Sequence, residues 1–449
     1  MPGGTFQIAV LAIITCSSIG CDGGAGDPDA GRDASLPAPM DASVSADSGP
    51  VSPLDASSPD AAGLTDAAGL ADAGGPTCGD LDASGTWIDL GRGFGSEGSI
   101  LRSYDPAIGV LQDGTPIVAL GRLTDRSMVA AESFVSVLQW TGSAWEPLGS
   151  MPETSGGFRP GSIHLEVDGS NRPVVVWDRG SELTGRAIVQ VSRFESGTWR
   201  ALEGPRSGPA DLAQMSYDIA TSSGSDDIVA CWSEDSLGLF FGRWTGSAWQ
   251  VLGGAVADGW CHVALGTDGT AYRVWRQLES PDLHVARWSG TAWTDLGGPI
   301  TRGPPTGRGA SGSSLAVGPD GRLHLTYAYD DGAGNQVFVQ RWSGSSWEDL
   351  GSPSLDLSLP PTAGSARAPE LVFDGVDRPI VVFATTYDGF YVGRGSGGTW
   401  ELIGHLGTGT DDFRVSAPTI AATPCGDPVV AWEMPFRMED MIFAHAFTR

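Results

Sequence analysis

Arg243-Trp244-Thr245-Gly246-Ser247-Ala248-Trp249-Gln250-Val251-Leu252-Gly253 is the stretch that decides the fold, because recognisable forms of it recur through most of the 449-residue chain. Its second half is a small residue, Trp, two variable residues, Leu or Ile, then Gly. It appears seven times, with tryptophans at Trp87, Trp145, Trp199, Trp249, Trp293, Trp347 and Trp400, at intervals of 44 to 58 residues, Glu203 standing in for the Gly in the third. A period near fifty holding only strand-like material implies radial repetition of small sheets, a β-propeller, rather than a helical solenoid.

One repeat resolves into four strands. In the second unit Ser162 to Val167 alternates as a strand, Asp168-Gly169 marks a turn, and Arg172 to Trp177 is a nearly continuous apolar strand. Ala187 to Phe194 supplies a third strand and Thr198 to Leu202 a fourth. The turn recurs at Asp113-Gly114, Asp268-Gly269, Asp320-Gly321 and Asp374-Gly375. Asp-Gly between alternating strands reads as a tight hairpin, since both residues tolerate positive φ. The second strand ends in Trp177, Trp232, Trp275, Tyr327, Phe383 or Trp432, rings expected to pack between blades.

In the fourth strand the Trp and the Leu stand three positions apart, so they point to opposite faces and both faces must be buried. A blade held between two others meets that condition. Fifteen of the sixteen tryptophans occupy repeat positions, and only Trp260 falls outside the scheme. Ser84 to Gly91 is a fourth strand lacking the preceding three, whereas Ala417 to Phe447 supplies three strands lacking a fourth. The fold class is therefore all-β: a seven-bladed propeller of four-stranded blades, closed by pairing the N-terminal strand with the three C-terminal ones.

The chain carries 65 Gly and 30 Pro, and its 26 basic residues are all Arg. Without lysine, Schiff-base and P-loop chemistry are excluded. The formal charge of -28 argues against nucleic acid or an anionic membrane surface as an electrostatic partner. Residues 22–77 hold ten Asp and one Arg in a background of Ala, Ser, Gly and Pro with no aromatic residue. Such a stretch cannot bury a core and is expected to be a disordered tether, with a span of roughly 40 Å.

Before it, Ile8 to Ile14 form a short apolar core followed by Ser18-Ile19-Gly20-Cys21. The pattern resembles a bacterial lipoprotein signal, with Ser18 where Leu is usual and no Arg or Lys ahead of the core. The resemblance implies a signal peptide over 1–20 and lipidation at Cys21; composition marks a linker over 21–77, and the repeats a propeller domain over 78–449. An exported, membrane-anchored protein is expected, periplasmic or at the cell surface, with secretion as the alternative.

Four cysteines remain. Propeller topology puts Cys425, in a hairpin between first and second strands, on the face where the strand following Cys78 begins. Cys231 and Cys261 share the opposite face, in neighbouring blades. The expected disulfides are Cys78–Cys425 and Cys231–Cys261, as an oxidising compartment permits. There is no Cys-x-x-Cys, no clustered His and no Asp-x-Asp-x-Asp loop, so no metal or cofactor is assigned.

Propeller ligands commonly sit over the central channel, on the loops joining one blade's fourth strand to the next blade's first. Those loops hold Arg102, Arg159, Arg308, Arg367 and Arg414, with Asp105, Asp218, Asp258 and Glu370 beside them and His262, Tyr104 and Tyr217 near in sequence. Guanidinium groups converging from several blades would form an anion site. Equally, an Arg recurring in every repeat serves packing, as Arg193, Arg243, Arg287, Arg341 and Arg394 on the third strands are expected to do.

The phrase Arg-Trp-Thr-Gly-Ser-Ala-Trp with its Leu-Gly resembles the repeat of tectonin-like and bacterial fucose-binding propeller lectins, whose rings stack on sugars. The second Trp those lectins often place before Leu-Gly is missing. The hairpin at Ser196-Gly197-Thr198-Trp199 also resembles a degenerate sialidase Asp-box, without its Asp and with shorter Gly-to-Trp spacing. The leading expectation is a monomeric, non-enzymatic binding module for an extracellular glycan or protein. A sialidase-like glycoside hydrolase or polysaccharide lyase using Asp105, Asp218 or Glu370 is the alternative, and a surface scaffold is a third. Seven like clefts would favour a multivalent lectin, one channel lined by unlike residues an enzyme, and a broad apolar patch a scaffold.

Overall fold

The computed structural model describes residues 65–66, 78, 84–92, 102–123, 132–150, 154–156, 162–181, 186–202, 204–205, 216–234, 237–257, 259–277, 280, 282–301, 309–330, 334–360, 362–407, 418–436 and 439–449. Seven antiparallel sheets follow one another, and in blades 1 to 6 four strands lie side by side in chain order. Their first strands are Arg102–Val110, His164–Val167, Tyr217–Ser222, Gly259–Leu265, Gly309–Val317, Ala366–Phe373 and Thr419–Ala422. These seven pack against one another all the way round, so they form the wall of the central channel.

The ring closes as the strand count requires. Thr86–Arg92 pairs antiparallel with Glu439–Thr448, in a register that sets Trp87 opposite Phe447. The N-terminal strand is thereby the fourth strand of blade 7. Thr65–Asp66, in the stretch whose composition predicts no structure, runs parallel beside it as a two-residue strand. The only helix among the described residues is Pro353–Asp356. No helix there is long and apolar enough to cross a membrane.

The repeated Trp-x-x-Leu phrase has a direct structural explanation. Trp145 Nε1 donates to the carbonyl of Leu90 at 2.8 Å, and Leu90 lies three residues after Trp87 in the preceding blade. The same relation joins Trp199 to Leu148, Trp293 to Leu252, Trp347 to Leu296 and Trp400 to Leu350. Trp87 donates to Ile403 and so carries the relation across the closure. Each indole faces the blade before it, while each Leu packs toward the blade after it, as Leu252 does in the cluster with Cys261, Val263 and Trp275. The second-strand rings Trp177, Trp232, Trp275, Tyr327, Phe383 and Trp432 are all buried between blades.

The third-strand arginines serve the scaffold where partners are seen. Arg193 is paired with Glu195 and Asp168, Arg341 with Glu348 and Arg394 with Glu401.

The Asp-Gly pairs form tight hairpins, as expected. Gly114, Gly269 and Gly321 are left-handed, and their aspartates are not. In the loops at Asp168 and Asp374 the left-handed residues are Asn171 and Asp377 instead. The loops have the same five-residue length, closed by the amides of Asp168 and Asp374 on the carbonyls of Arg172 and Arg378, and the left-handed residue is again the fourth; the Asp-Gly pair has moved to the start of the loop, where the buried carboxylate organises it. Asp168 accepts from the backbone of Ser170 and Arg172 and from Arg172 Nε at 2.9 Å, and Asp374 does the same for Val376 and Arg378.

Two disulfides are formed, Cys78–Cys425 and Cys231–Cys261, with Cα separations of 5.1 and 6.3 Å. The first staples the closure blade. The second ties blade 3 to blade 4 beside the channel. Both fit a protein that works in an oxidising, extracytoplasmic compartment.

Candidate functional site at the channel mouth

Strand pairing places one residue of each first strand at the same height in the wall. Ala107, His164, Asp218, His262, Ser314, Glu370 and Thr419 stand opposite Ala119, Val176, Cys231, Val274, Thr326, Val382 and Ala431 of their second strands. Two residues earlier, Asp105, Ser162 and Ala368 all have φ between 44° and 47°, a left-handed conformation that costs about 1–3 kcal/mol for a residue with a side chain. The pairing register slips at Tyr104/Ala107 and Arg367/Glu370, so bulges bend these strands at the channel mouth.

Asp218 is the centre of the ring. Its Oδ1 lies 3.2 Å from His164 Nδ1 of blade 2, its Oδ2 lies 3.3 Å from His262 Nδ1 of blade 4, and the Val263 amide donates to Oδ2 at 3.0 Å. The His164 and His262 side chains keep 30 % and 33 % of their surface. They face the central channel formed by the seven first strands. Burial lowers the pKa of His164, against the opposing pull of Asp218. His262 is raised: burial opposes charging, but its hydrogen bond and ion contact with Asp218 outweigh that. Asp218 is held below the usual carboxylate range, because the two imidazoles and the Val263 amide overcome its burial.

Two further carboxyls share the channel. Glu166, one step along the strand from His164 on the same face, is pushed up to about 8 by burial and by the charge of Asp218. Thr221 Oγ donates to it at 3.4 Å. Glu370 is pushed up to about 7 by burial, although the Ile420 amide donates to its Oε2 at 3.0 Å. At neutral pH the lining therefore combines a protonated carboxyl at Glu166 with an ionised carboxylate at Asp218, beside two imidazoles shifted in opposite directions.

One layer above the ring stands Trp260, with 45 % of its surface exposed. It pairs across the strands with Arg276, whose guanidinium lies 4.3 Å from the indole centroid. Gly259 makes this close approach possible, since a Cβ there would sit 1.8 Å from the Arg276 carbonyl oxygen. Across the mouth are carboxyls: Glu433 accepts from the Asp105 amide at 2.9 Å, and Asp178 is hydrogen-bonded to the buried Tyr217.

Of the residues expected at the site, Asp218, Glu370 and His262 fall in one ring, and Asp105 lies one layer above. Tyr104 is buried. Arg367 is in the first strand of blade 6, opposite Ala384. Arg102 begins the first strand of blade 1, but its side chain, like all of Asp258, Arg159, Arg308 and Arg414, lies outside the described residues. His164, Glu166 and Arg276 do not stand out in the sequence. Setting the seven first strands in register would have shown them as places where the repeat changes residue, and Trp260 is the tryptophan with no repeat counterpart.

No protein-family model matches the chain, and no curated protein does. Solved structures similar to it include the GH93 α-L-arabinofuranosidase of Fusarium graminearum with arabinobiose, at 10% identity over 80% of this chain and 97% of that one, with a TM-score of 0.43. The Aleuria aurantia lectin with Fucα1-6GlcNAc is similar at 16% identity over 63% and 93%, TM-score 0.40. The NanB sialidase of Streptococcus pneumoniae is similar at 12% identity over 77% and 68%, TM-score 0.40. The count of seven blades rests on this chain's own strand pairing.

Proposed function

We propose that this protein is an exported, lipid-anchored propeller that binds carbohydrate at a single site, the channel mouth beneath Trp260. The observation that carries this is the break in the repeat. Where packing is needed the blades keep their residues, as in the Trp-to-Leu bonds between blades. At the ring the seven equivalent positions hold Ala, His, Asp, His, Ser, Glu and Thr. A scaffold repeats its contacts in register, whereas a site for one asymmetric ligand needs different groups on each side. The exposed indole offers a flat apolar face for a sugar ring, with hydrogen-bonding groups below it. The tryptophans between blades are committed to the neighbouring blade's carbonyl, which weighs against a multivalent lectin with a sugar in each cleft.

Export rests on the apolar segment before Cys21 together with the two disulfides. Palmitate labelling of the full chain, lost in Cys21→Ser, tests the anchor. For the site, the full chain in detergent is applied to a glycan array. Binding that falls at least tenfold in Trp260→Ala, with thermal stability unchanged, supports the reading, and an array blank for every glycan overturns it.

A glycoside hydrolase is the second reading, favoured by the opposite charge states of Glu166 and Asp218 in one channel. A neutral carboxyl and an ionised one are the acid and base or nucleophile that such chemistry requires. Release of reducing sugar from a bound glycan, abolished in Asp218→Asn and in Glu166→Gln, would establish it. Binding without turnover leaves the protein a lectin.

A further inference from the structure

Arg276 differs from the paired arginines elsewhere in the described scaffold. Arg172, Arg193, Arg378 and Arg394 each face a carboxylate. Arg276 makes no ion pair among the described residues, although the chain carries a net charge of -28. Its Nη1 donates to the carbonyl of Ala310 in blade 5, which fixes the plane of the guanidinium, and its buried Nε has no hydrogen-bond partner there. Packing does not require it, since the equivalent second-strand positions in the other blades are Gly121, Asp178, Ser233, Ala328, Ala384 and Glu433. Nor does the Trp260 indole account for it, because a ring contact does not use the in-plane donors, and among the described residues only Nη1 has a hydrogen-bond acceptor.

The surroundings decide what this fork would hold. Below it, Asp218 is already engaged, by ion contact with His262 and at 3.2 Å from His164. Opposite it, Asp105, Asp178 and Glu433 repel an anion and drive it toward blade 4. With Nε buried, a carboxylate would meet the Nη1–Nη2 end of the planar guanidinium, which can give two parallel hydrogen bonds, and the adjacent indole would take the C–H face of the ring that carries that carboxylate.

We propose that the channel-mouth site selects a hexuronate-type sugar, with its carboxylate on Arg276 and its ring on Trp260. This rests on the mouth being the carbohydrate site. It adds a ligand class and assigns specificity to one residue. Arg276 becomes the specificity determinant and Trp260 the platform. A lysine cannot replace Arg276, because an ammonium lacks the planar fork.

Calorimetric titration of the full chain with three forms of one oligosaccharide tests this: the oligouronate, its methyl ester and the sulfated neutral analogue. Binding of the oligouronate at least tenfold tighter than both others is expected, weakening between 25 and 150 mM salt. Arg276→Gln and Arg276→Lys should each lose that preference while keeping the thermal midpoint of the parent. Equal affinity for acid and ester, or an unchanged preference in Arg276→Gln, would overturn the uronate assignment and leave the mouth site standing. Sulfated and carboxylated forms binding alike would overturn it in favour of a general anion contact. No binding of any form, with glycan-array binding unaffected by Trp260→Ala, would overturn the mouth site itself.

Discussion

Asp218 Oδ2 and His262 Nδ1 lie 3.3 Å apart across the seam between blades 3 and 4, so an ion pair spans two sheets at the point where the disulfide Cys231–Cys261 also joins them. His262 is raised above its ordinary value and Asp218 is lowered below its own.

The pair makes stability depend on pH with a definite sign. A raised imidazole contributes fully below its unfolded value near 6.5 and loses that contribution as pH climbs through the raised value. A lowered carboxylate contributes fully above about 3.8 and loses it as pH falls through the lowered value. The pair therefore stabilises most between about pH 4 and 6.5. Asp218→Asn should cost about 1–3 kcal/mol at pH 5.5 and clearly less at pH 8.5. Denaturant unfolding at the two pH values measures this, and an equal loss at both would show that the imidazolium contributes nothing.

Arg273 is a buried charge packed among three rings, with Asp295 as its electrostatic counterweight. Its guanidinium carbon lies 4.3 to 4.5 Å from the centroids of Phe241, Trp275 and Trp293, while Nε and Nη1 have no hydrogen-bond partner among the described residues. Burial lowers its pKa to about 10. The equivalent positions in the other blades are apolar: Val118, Val175, Ala230, Leu325, Val381 and Val430. A guanidinium whose folded value is depressed costs stability at every pH below that value. Arg273→Leu should raise stability at pH 7 by about 1–3 kcal/mol, a gain that the missing cation–π attraction of the three rings reduces. A fall in the unfolding midpoint would show that this attraction outweighs the unpaired charge.

Trp347 Nε1 donates to the Leu296 carbonyl at 2.8 Å, a bond between blades 4 and 5. Trp347→Phe keeps much of the ring and removes the donor. Unfolding should show a loss of about 1–2 kcal/mol, combining one hydrogen bond with a small cavity. Glycan binding at the channel should be unchanged, because the bond lies in the fourth strand, far along the blade from the wall. A change in binding without a change in stability would contradict the assignment of these indoles to the scaffold.

What is legible in the chain follows from how local each feature is. The four strands of a blade, its tight hairpins and the spacing of Trp and Leu are written within about fifty residues. Closure is legible too, because an orphan fourth strand at one end and three strands at the other admit one completion. The disulfides follow from topology. At Asp168 and Asp374 the Asp-Gly pair opens the loop rather than filling its third and fourth positions, and the buried carboxylate meets Arg172 or Arg378, a contact that the pair alone does not reveal.

The site is legible only in part. Asp218 and Glu370 are among the sequence candidates, but as loop carboxylates beside arginines rather than as members of a ring with His164 and His262. Sequence alone determined that seven like units must stack and close, since the hydrophobic period and the strand count are properties of the chain itself. Only the tertiary structure decided which residues meet at the channel. His164, Asp218, His262 and Glu370 stand on four different blades, up to about two hundred residues apart, and it is the register of each first strand on its second that brings them to one height. In the Glu370 strand that register follows a bulge at Arg367/Glu370, as it does at Tyr104/Ala107 in blade 1, and nothing in a fifty-residue repeat sets the depth at which those bends fall.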